Sequence, residues 1–499
     1  MEGKLKELKL ELKKISNINR ALAVLGWDMQ TKMPKKGIMQ RSEVVEQLSA
    51  DAFRLGTSKK MGRLIDEAMK EFDSLSDTDK GIVKLAKKSY DETVKIPEER
   101  YREFVGATAL SFDAWQEAKS KNDFEIFKPH LKKMIDFKRE FAEYMGYEGS
   151  KYNALLGEFE EGLTVDVLDK TFGELRDGVL ELFKKIEASD KVIDRSFLCG
   201  EFGKEPQKKF AEFVLAKMGY DFERGRLDES MHPFTTGFGN GDVRITTSYA
   251  HPDLTYCLFS CIHEGGHGIY EQDIPDELQQ TGLDSGLAMS IHESQSRFYE
   301  NLIGRSKEFW DYFLEYAKYE FPSLKNVSEE DFYNAINRVE PSLIRTEADE
   351  LTYNLHIIIR YEIEKGLITG EIEIDDVKDA WNNKYKEYLG IEPDCDANGI
   401  LQDMHWSDGA FGYFPSYALG NLYGAQMLVK MKEDYKGMEA DIRAGNLKGV
   451  HNWLEENIHI HGATYNPGEL IKLCTGKELS VKPFIDYLND KYSKIYNLK

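Results

Sequence analysis

The segment His263-Glu264-Gly265-Gly266-His267 limits what this chain can fold into more than any other stretch of its 499 residues. Its H-E-x-x-H spacing places both imidazoles on one face of a helix, one turn apart, with the glutamate beside them. Two neutral imidazoles and one carboxylate leave the fourth position of a tetrahedral Zn²⁺ ion open for water, and the ion lowers the pKa of that water to about 7. The pattern therefore predicts a zinc-hydrolase site in which His263 and His267 bind the metal and Glu264 is the general base.

The two glycines inside this predicted helix are a second clue. Each glycine in a helix interior costs about 1 kcal/mol relative to alanine. We therefore expect a substrate or a neighbouring helix to approach the backbone at Gly265 and Gly266. The alternative is that they end or kink a core helix. With 11 histidines in the chain, a chance H-E-x-x-H has a probability of at most roughly a few in a hundred, which favours the metal site.

A third metal ligand must come from another part of the chain, and Glu293 is the nearest good candidate. It lies in residues 290–297, where a second helix is predicted to begin after a loop. Two histidines from one helix and a glutamate from the next form a ligand set typical of catalytic zinc sites.

These two segments, with His292-Glu293-Ser294-Gln295 in the second, resemble motifs of the carboxypeptidase Taq family of metallocarboxypeptidases. Four further stretches resemble motifs of that family and stand in order: Asp-Val-Arg-Ile-Thr at 242–246, Ile-Arg-Thr-Glu-Ala-Asp at 344–349, Gly-Ile-Leu-Gln-Asp-Met-His-Trp at 399–406, and Phe-Gly-Tyr-Phe-Pro-Ser-Tyr at 411–417. The resemblance extends from residues 27–28 to 459–462 and covers nearly the whole chain.

The resemblance implies a mainly α-helical zinc-peptidase fold with a deep central groove and a small β-sheet beside the H-E-x-x-H helix. It implies a metal-dependent carboxypeptidase that releases single amino acids from peptides with a free C-terminus. Zn²⁺ is the implied metal, Co²⁺ a possible activator, and a homodimer the implied assembly. Two other functions stay open. One is an endopeptidase or oligopeptidase without a carboxylate clamp, and the other is a catalytically silent helical binding protein.

Arg345 is the first candidate for gripping the terminal carboxylate of a substrate. It stands four residues before Asp349 on a helix that we expect to begin at Pro341 and end near Gly366, and such a pair is usually a surface ion pair worth a few tenths of a kcal/mol. The resemblance implies that this motif binds the substrate, and the planar fork of arginine can bond both carboxylate oxygens. Arg244 is the second candidate.

Each arginine has a structural alternative. Arg345 would then be the ion-pair partner of Asp349, and Arg244 that of Asp242.

Polar and aromatic side chains lie close together between residues 399 and 417. Peptide hydrolysis needs donors aimed at the oxygen that becomes negative in the tetrahedral intermediate. His405 and Tyr417 are the first candidates, because their spacing resembles that of the donor histidine and tyrosine in related helical zinc peptidases. Tyr413 is the second choice among the tyrosines, and the alternative is that these rings belong to the core.

The rest of the chain predicts helices with one strand. Apolar residues recur at intervals of three and four from residue 5 to about 187, and residues 25–34 interrupt that pattern as a structural element beneath a lid. An Asn-Gly pair in residues 231–241 predicts a turn before a strand at 243–249. That strand would offer its edge to an extended peptide or belong to a small hairpin packed on the core.

No linker rich in Pro, Gly or Ser divides the sequence. We therefore expect a single catalytic domain over residues 1–499, with a helical lid region at about 1–190 and the metal and substrate site at 230–420.

Composition limits the partners and the compartment. A net charge of −22 and a pI near 5.1 argue against nucleic-acid binding, which needs a basic face. Five scattered cysteines lack the spacing of a disulfide framework and predict reduced thiols. Because neither a secretion signal nor an apolar segment of about 18 residues is present, we expect a cytoplasmic protein without a membrane partner. His356, His459 and His461 are expected to be structural.

Overall fold

The predicted mainly helical fold is confirmed by a computed structural model, which describes residues 2–284 and 288–498. Helix accounts for 68% of the chain, and the sheet has three short strands. Within the described residues, no helix is long and apolar enough to cross a bilayer.

Nine helices precede the sheet in the described chain: α1 (Glu2–Thr31), α2 (Ile38–Gly56), α3 (Lys59–Met69), α4 (Asp77–Thr93), α5 (Glu98–Lys121), α6 (Phe124–Met145), α7 (Tyr152–Phe159), α8 (Val165–Glu187) and α9 (Lys204–Met218). The strands are β1 (Gly225–Glu229), β2 (Thr235–Gly237) and β3 (Val243–Thr247). The remaining helices are α10 (Leu254–Asp273), α11 (Met289–Arg297), α12 (Lys307–Glu320), α13 (Glu329–Ile336), α14 (Tyr353–Thr369), α15 (Val377–Leu389), α16 (Pro415–Asp434), α17 (Met438–Arg443), α18 (Lys448–Asn457), α19 (Pro467–Thr475) and α20 (Lys482–Tyr496).

Helices α1, α3 and α4 share a small hydrophobic core of their own. Buried side chains of α1, α3 and α4 form one small cluster: Leu8, Met61, Leu64, Ile65, Ala68, Val83 and Ala86. From α5 onward, the buried apolar side chains belong to one large cluster that continues to α20. Helices α5 to α8, although within the predicted lid region, therefore pack with the body that carries the metal site.

The expected interruption of the helical pattern at residues 25–34 is wrong for most of that stretch, because α1 continues to Thr31. The segment is nevertheless structural. Trp27 is buried, and the Arg244 guanidinium lies 4.4 Å from the centre of its indole ring. Arg41 bonds the carbonyl of Leu25 and the carboxylate of Asp28, which fixes α2 against α1.

The sheet has the order β1-β3-β2, with β1 parallel and β2 antiparallel to β3. The predicted turn is present, since β2 and β3 form a hairpin closed by the Phe238 N–H bond to the carbonyl of Asp242. The predicted use of the β3 edge is wrong, because both of its sides are paired with neighbouring strands. The hairpin packs on α10, where the side chain of Ile245 lies close to Gly268.

The prediction that a helix begins at Pro341 is also wrong. Residues 345–347 form a single 3-10 turn, and α14 begins only at Tyr353 and ends at Thr369. The reason is the side chain of Asp349, whose Oδ1 accepts the backbone N–H groups of Leu351 and Thr352 at 2.9 and 3.0 Å. A short acidic side chain that bonds the backbone in this way favours a turn and a helix start over a helix interior.

The glycines of α10 permit close helix packing, as expected from the sequence. A Cβ atom at Gly266 would lie 2.7 Å from the Gln295 carbonyl oxygen and from the Ser296 Cα atom of α11. A Cβ atom at Gly265 would lie 2.4 Å from a methyl group of Leu215 on α9. A neighbouring helix is therefore what approaches Gly266, and neither glycine ends α10.

Gly266→Ala should destabilise the protein by about 1–3 kcal/mol, because the new methyl group meets backbone atoms that cannot rotate away. Gly173→Ala is the matched control, since Gly173 lies inside α8 with nothing within 4 Å of its added Cβ atom. That change should be neutral or stabilising by up to about 1 kcal/mol. Thermal unfolding of both variants measures the difference, and equal midpoints would contradict the packing argument.

Candidate metal centre

The structure brings the three predicted metal ligands together. His263 and His267 project from α10, and Glu293 projects from α11. One ligand atom from each side chain can be chosen so that all three lie within 4.8 Å of one another. Oε2 of Glu293 is 3.7 Å from Nε2 of His263 and 3.5 Å from Nε2 of His267.

The geometry of this donor set fits a tetrahedral divalent ion. An ion bound at about 2.0–2.1 Å by nitrogen and oxygen holds its ligand atoms about 3.4 Å apart, close to the two distances measured here. Burial lowers the pKa of His267 to about 3, so its imidazole is neutral at pH 7. Neutral histidine is the form that binds metals.

Both histidines are oriented through their other ring nitrogens. Nδ1 of His263 lies 2.9 Å from Oε2 of Glu300, and Nδ1 of His267 lies 2.6 Å from Nδ1 of His292. His292 in turn bonds Glu271 through Nε2 at 2.8 Å. Partners of this kind fix the ring orientation of metal-binding histidines and leave Nε2 for the ion.

The carboxylate of Glu293 is held by Arg297, one turn later on α11. Nε of Arg297 donates to Oε1 of Glu293 at 2.7 Å, and its Nη1 donates to Glu300 at 3.1 Å. Burial opposes the charge of Glu293, but Arg297 and the nearby histidines hold the pKa of this carboxyl well below its usual range. Glu293 is therefore ionised over the whole physiological pH range.

The predicted base Glu264 is buried beside the ligands and is bonded to Thr235 of β2. The Thr235 hydroxyl lies 2.6 Å from Oε2 of Glu264 and 3.0 Å from its backbone carbonyl oxygen. Among the described residues, no hydrogen bond is made to Oε1. The bond to Thr235 fixes Oε2, which leaves Oε1 to exchange a proton. Burial raises the pKa of this carboxyl group.

The three predicted donors also lie together. Nε2 of His405 is 3.3 Å from the Tyr417 hydroxyl oxygen, and the rings of Tyr413 and Tyr417 meet edge to face with centroids 5.1 Å apart. Burial lowers the pKa of His405 to about 3 and raises that of Tyr413 to about 12. At neutral pH the imidazole is therefore uncharged and the phenol protonated. Nδ1 of His405 is buried with no hydrogen-bond partner in the described part of the chain.

Arg345 does not pair with Asp349, contrary to the helical spacing read from the sequence. Its guanidinium bonds Asp403, with Nη2 at 2.9 Å from Oδ1, and its Nη1 donates to the Tyr353 hydroxyl at 3.1 Å. Arg360 shares the same carboxylate through a 2.9 Å bond. Arg345 also lies 4.9 Å from the centre of the Tyr417 ring, so it adjoins the predicted donors.

Arg244 forms the ion pair considered as its structural alternative. Its Nε and Nη2 atoms each donate to one oxygen of Asp242, both at 2.8 Å. The guanidinium is enclosed between the rings of Trp27 and Phe238, at 4.4 and 4.9 Å from their centres.

Two of the three histidines expected to be structural, His356 and His459, have such contacts. Nδ1 of His356 bonds the Tyr385 hydroxyl at 2.9 Å. His459 bonds Asp273 and Gln295 through its two nitrogens, at 2.7 and 2.9 Å.

Several residues of this centre were not identified from the sequence. Arg297 stands four residues after Glu293 and three before Glu300, a pattern that a search for charge pairs on one helix face could have found. Thr235 had no such signal, because it reaches Glu264 from a strand 29 residues earlier. The position of Glu300 depends on a π-helical turn at residues 298–303, and such turns are frequent at functional sites.

Comparison with known proteins places this centre among characterised relatives. A family model described as carboxypeptidase Taq (M32) metallopeptidase matches residues 7–492. Carboxypeptidase 1 of Bacillus subtilis is 48% identical over 488 residues, covering 98% of this chain and 97% of that protein. Thermostable carboxypeptidase 1 of Pyrococcus furiosus is 38% identical, covering 98% of each. The crystal structure of an M32 carboxypeptidase from Deinococcus radiodurans superposes with a TM-score of 0.95 at 37% identity, covering 99% of this chain and 100% of that one.

Glu293→Ala should abolish stoichiometric metal binding, because it removes one of three predicted protein ligands and one of the two carboxylates that Arg297 bonds. Glu300→Gln should weaken binding by roughly 10- to 100-fold, the usual effect of losing an outer partner of a ligand. Glu264→Gln is the control and should keep about one ion per chain. Metal analysis after reloading with zinc, together with titration against a competing chelator, measures all three. A Glu293→Ala variant with undiminished affinity would remove Glu293 from the ligand set.

Proposed function

Since the chain belongs to the carboxypeptidase Taq (M32) metallopeptidase family, we propose that it releases single amino acids from peptides with a free C-terminus. The observation that carries this proposal is the grouping of His263, His267 and Glu293 with Glu264 beside them. We propose Zn²⁺ as the ion, with Co²⁺ as an alternative, because imidazole and carboxylate ligands in this number suit both. When bound, such an ion polarises a carbonyl group and lowers the pKa of water to about 7.

Glu264 is the general base of the proposed reaction. Its Oε1 takes the proton of the attacking water and later delivers it to the leaving amine, while Thr235 keeps Oε2 in place. Burial supports this role, because a raised carboxyl pKa lies closer to the working pH of an acid–base catalyst.

Tyr417 donates a hydrogen bond to the oxygen that becomes negative as the peptide carbonyl is attacked. Its pKa is raised well above the usual value by burial, so the hydroxyl keeps its proton. The tautomer of His405 with hydrogen on Nε2 donates to the Tyr417 oxygen and leaves the phenolic proton for the substrate. Tyr413 is the second choice for this role. Such preorganised donors act strongly in a site that excludes water.

Arg345 is the proposed clamp for the terminal carboxylate of the substrate. It adjoins Tyr417 and Tyr353, so a bound C-terminus would lie next to the donor residues. Arg244 remains the reserve, but its guanidinium is already matched by both oxygens of Asp242.

We further propose that the protein works as a homodimer in the cytoplasm. The dimer is supported by the family resemblance. The compartment is supported by the five cysteines, all of which are free thiols, since reduced thiols are typical of cytoplasmic proteins. The strongly acidic total charge argues against a nucleic-acid partner.

Glu264→Gln should lower turnover by about 10²- to 10⁴-fold, because the amide keeps the shape of the side chain but cannot accept the proton. Thr235→Val, which removes only the hydroxyl, should cause a smaller loss that Thr235→Ser restores. Steady-state kinetics on one defined peptide, with metal content measured in parallel, tests both changes. Near-normal turnover by Glu264→Gln would refute the proposed base.

Amidating the C-terminus of a good substrate should reduce kcat/KM by about a hundredfold, because hydrogen bonds to a charged group contribute about 1.5–3 kcal/mol each. Arg345→Gln should lose this discrimination between acid and amide, whereas Arg244→Gln should keep it. The ratio of the two kcat/KM values within one variant is insensitive to partial unfolding.

If Arg244→Gln alone removes the discrimination, the clamp is Arg244. Equal cleavage of acid and amide by the unaltered protein, with internal bonds cut, would indicate an endopeptidase.

A further inference from the structure

Glu160 is a buried carboxylate that no step of the proposed reaction uses. It follows the last residue of α7 and is only 2% exposed. Its Oε1 accepts the backbone N–H of Ser290 at 2.7 Å and the hydroxyl of Ser416 at 2.9 Å. Its Oε2 accepts the Ser290 hydroxyl at 2.7 Å.

The two serines begin the helices that carry the reacting side chains. Ser290 is the second residue of α11, which carries Glu293, and Ser416 is the second residue of α16, which carries Tyr417. The first N–H groups of a helix have no partner within it, and a carboxylate is favoured there by the helix dipole. One side chain therefore caps an N–H group at the start of α11 and bonds a side-chain hydroxyl at the start of α16.

The two helices are also in contact farther along. A Cβ atom at Gly420 of α16 would lie 2.8 Å from Cγ of Glu293. Phe159, next to Glu160 in the chain, packs edge to face on Tyr413 with ring centroids 5.3 Å apart. A change in the relative position of α11 and α16 would thus move the ligand carboxylate against the donor residues.

We propose that Glu160 is a positioning residue that fixes the metal ligand Glu293 relative to the donor Tyr417 by bonding Ser290 and Ser416 at once. The proposal rests on the roles assigned above to Glu293 and Tyr417. Glu160 touches neither the reacting atoms nor the metal ligands, and it acts through the two helix starts.

The test compares Glu160→Leu, which removes all three bonds, with Glu160→Gln, which keeps hydrogen-bonding atoms at the same positions. Burial raises the pKa of Glu160 to about 7, so the assays are run at pH 8, where the unaltered side chain is ionised. Glu160→Leu should weaken zinc binding and lower kcat, each by roughly 10- to 100-fold as for outer partners of metal ligands. Glu160→Gln should restore both to within about fivefold.

Two milder variants separate the two helices and keep the test decisive if Glu160→Leu does not fold. Ser290→Ala should raise the zinc dissociation constant more than it lowers kcat, because Ser290 belongs to the ligand helix. Ser416→Ala should lower kcat while zinc affinity stays within about twofold. The reverse pattern, or no effect of either change, would overturn the proposal.

A control shows what a merely structural carboxylate does. Glu350 is also buried and pairs with Lys491 at 2.6 Å, so Glu350→Gln should lower the unfolding midpoint and leave zinc affinity and kcat per folded molecule unchanged. Glu160→Leu with the same behaviour would overturn the positioning role. If Glu293→Ala itself keeps metal, the proposed centre fails, which is a different result from an inert Glu160.

Discussion

The close fit of α11 between α10 and α16 is the constraint on which the metal centre depends. Glycine stands on both sides of the ligand helix: Gly266 faces Gln295 and Ser296, and Gly420 faces Glu293. An added methyl group would lie within 2.8 Å of α11 at either position, so side chains larger than hydrogen would push the helices apart. The distances from Glu293 to the two histidines are therefore set by backbone contact, which is stiffer than side-chain packing.

The charges in this packed region are stable only as a set. Glu293 and Glu300 are buried, the partly buried Arg297 bonds both of them, and His263 bonds Glu300. An isolated buried charge is very unfavourable, whereas paired and hydrogen-bonded charges are tolerated. Removing one of these side chains leaves its partner charged and unpaired. The orientation of His263 therefore depends on Glu300, which contacts only the Nδ1 atom of its ring. A cooperative network of this kind is also rigid.

Local periodicity predicted the parts of this protein that depend on one element at a time. The helix of His263 and His267, the close approach of a helix to Gly266 and the position of Glu293 beside the two histidines were all predictable, because helical spacing or one loop connects them. The predictions that failed needed information from elsewhere. Spacing gave Asp349 as the ion-pair alternative for Arg345, but the partner of Arg345 is Asp403, 58 residues later. The position of Thr235 and the pairing of both sides of β3 were missed because strand order is a tertiary property.

The two candidate arginines, Arg244 and Arg345, differ in how many carboxylate groups balance their charge. Arg244 and Asp242 form a closed pair with two bonds, which leaves no net charge for a substrate. Arg345 and Arg360 share the single carboxylate of Asp403. Burial raises the pKa of the next carboxyl group, Glu364. Two guanidinium groups share this one carboxylate in a buried place, where electrostatic interactions are strong. Under the function proposed above, the C-terminus of a peptide would bring a second negative charge to these two arginines, and an internal segment would not.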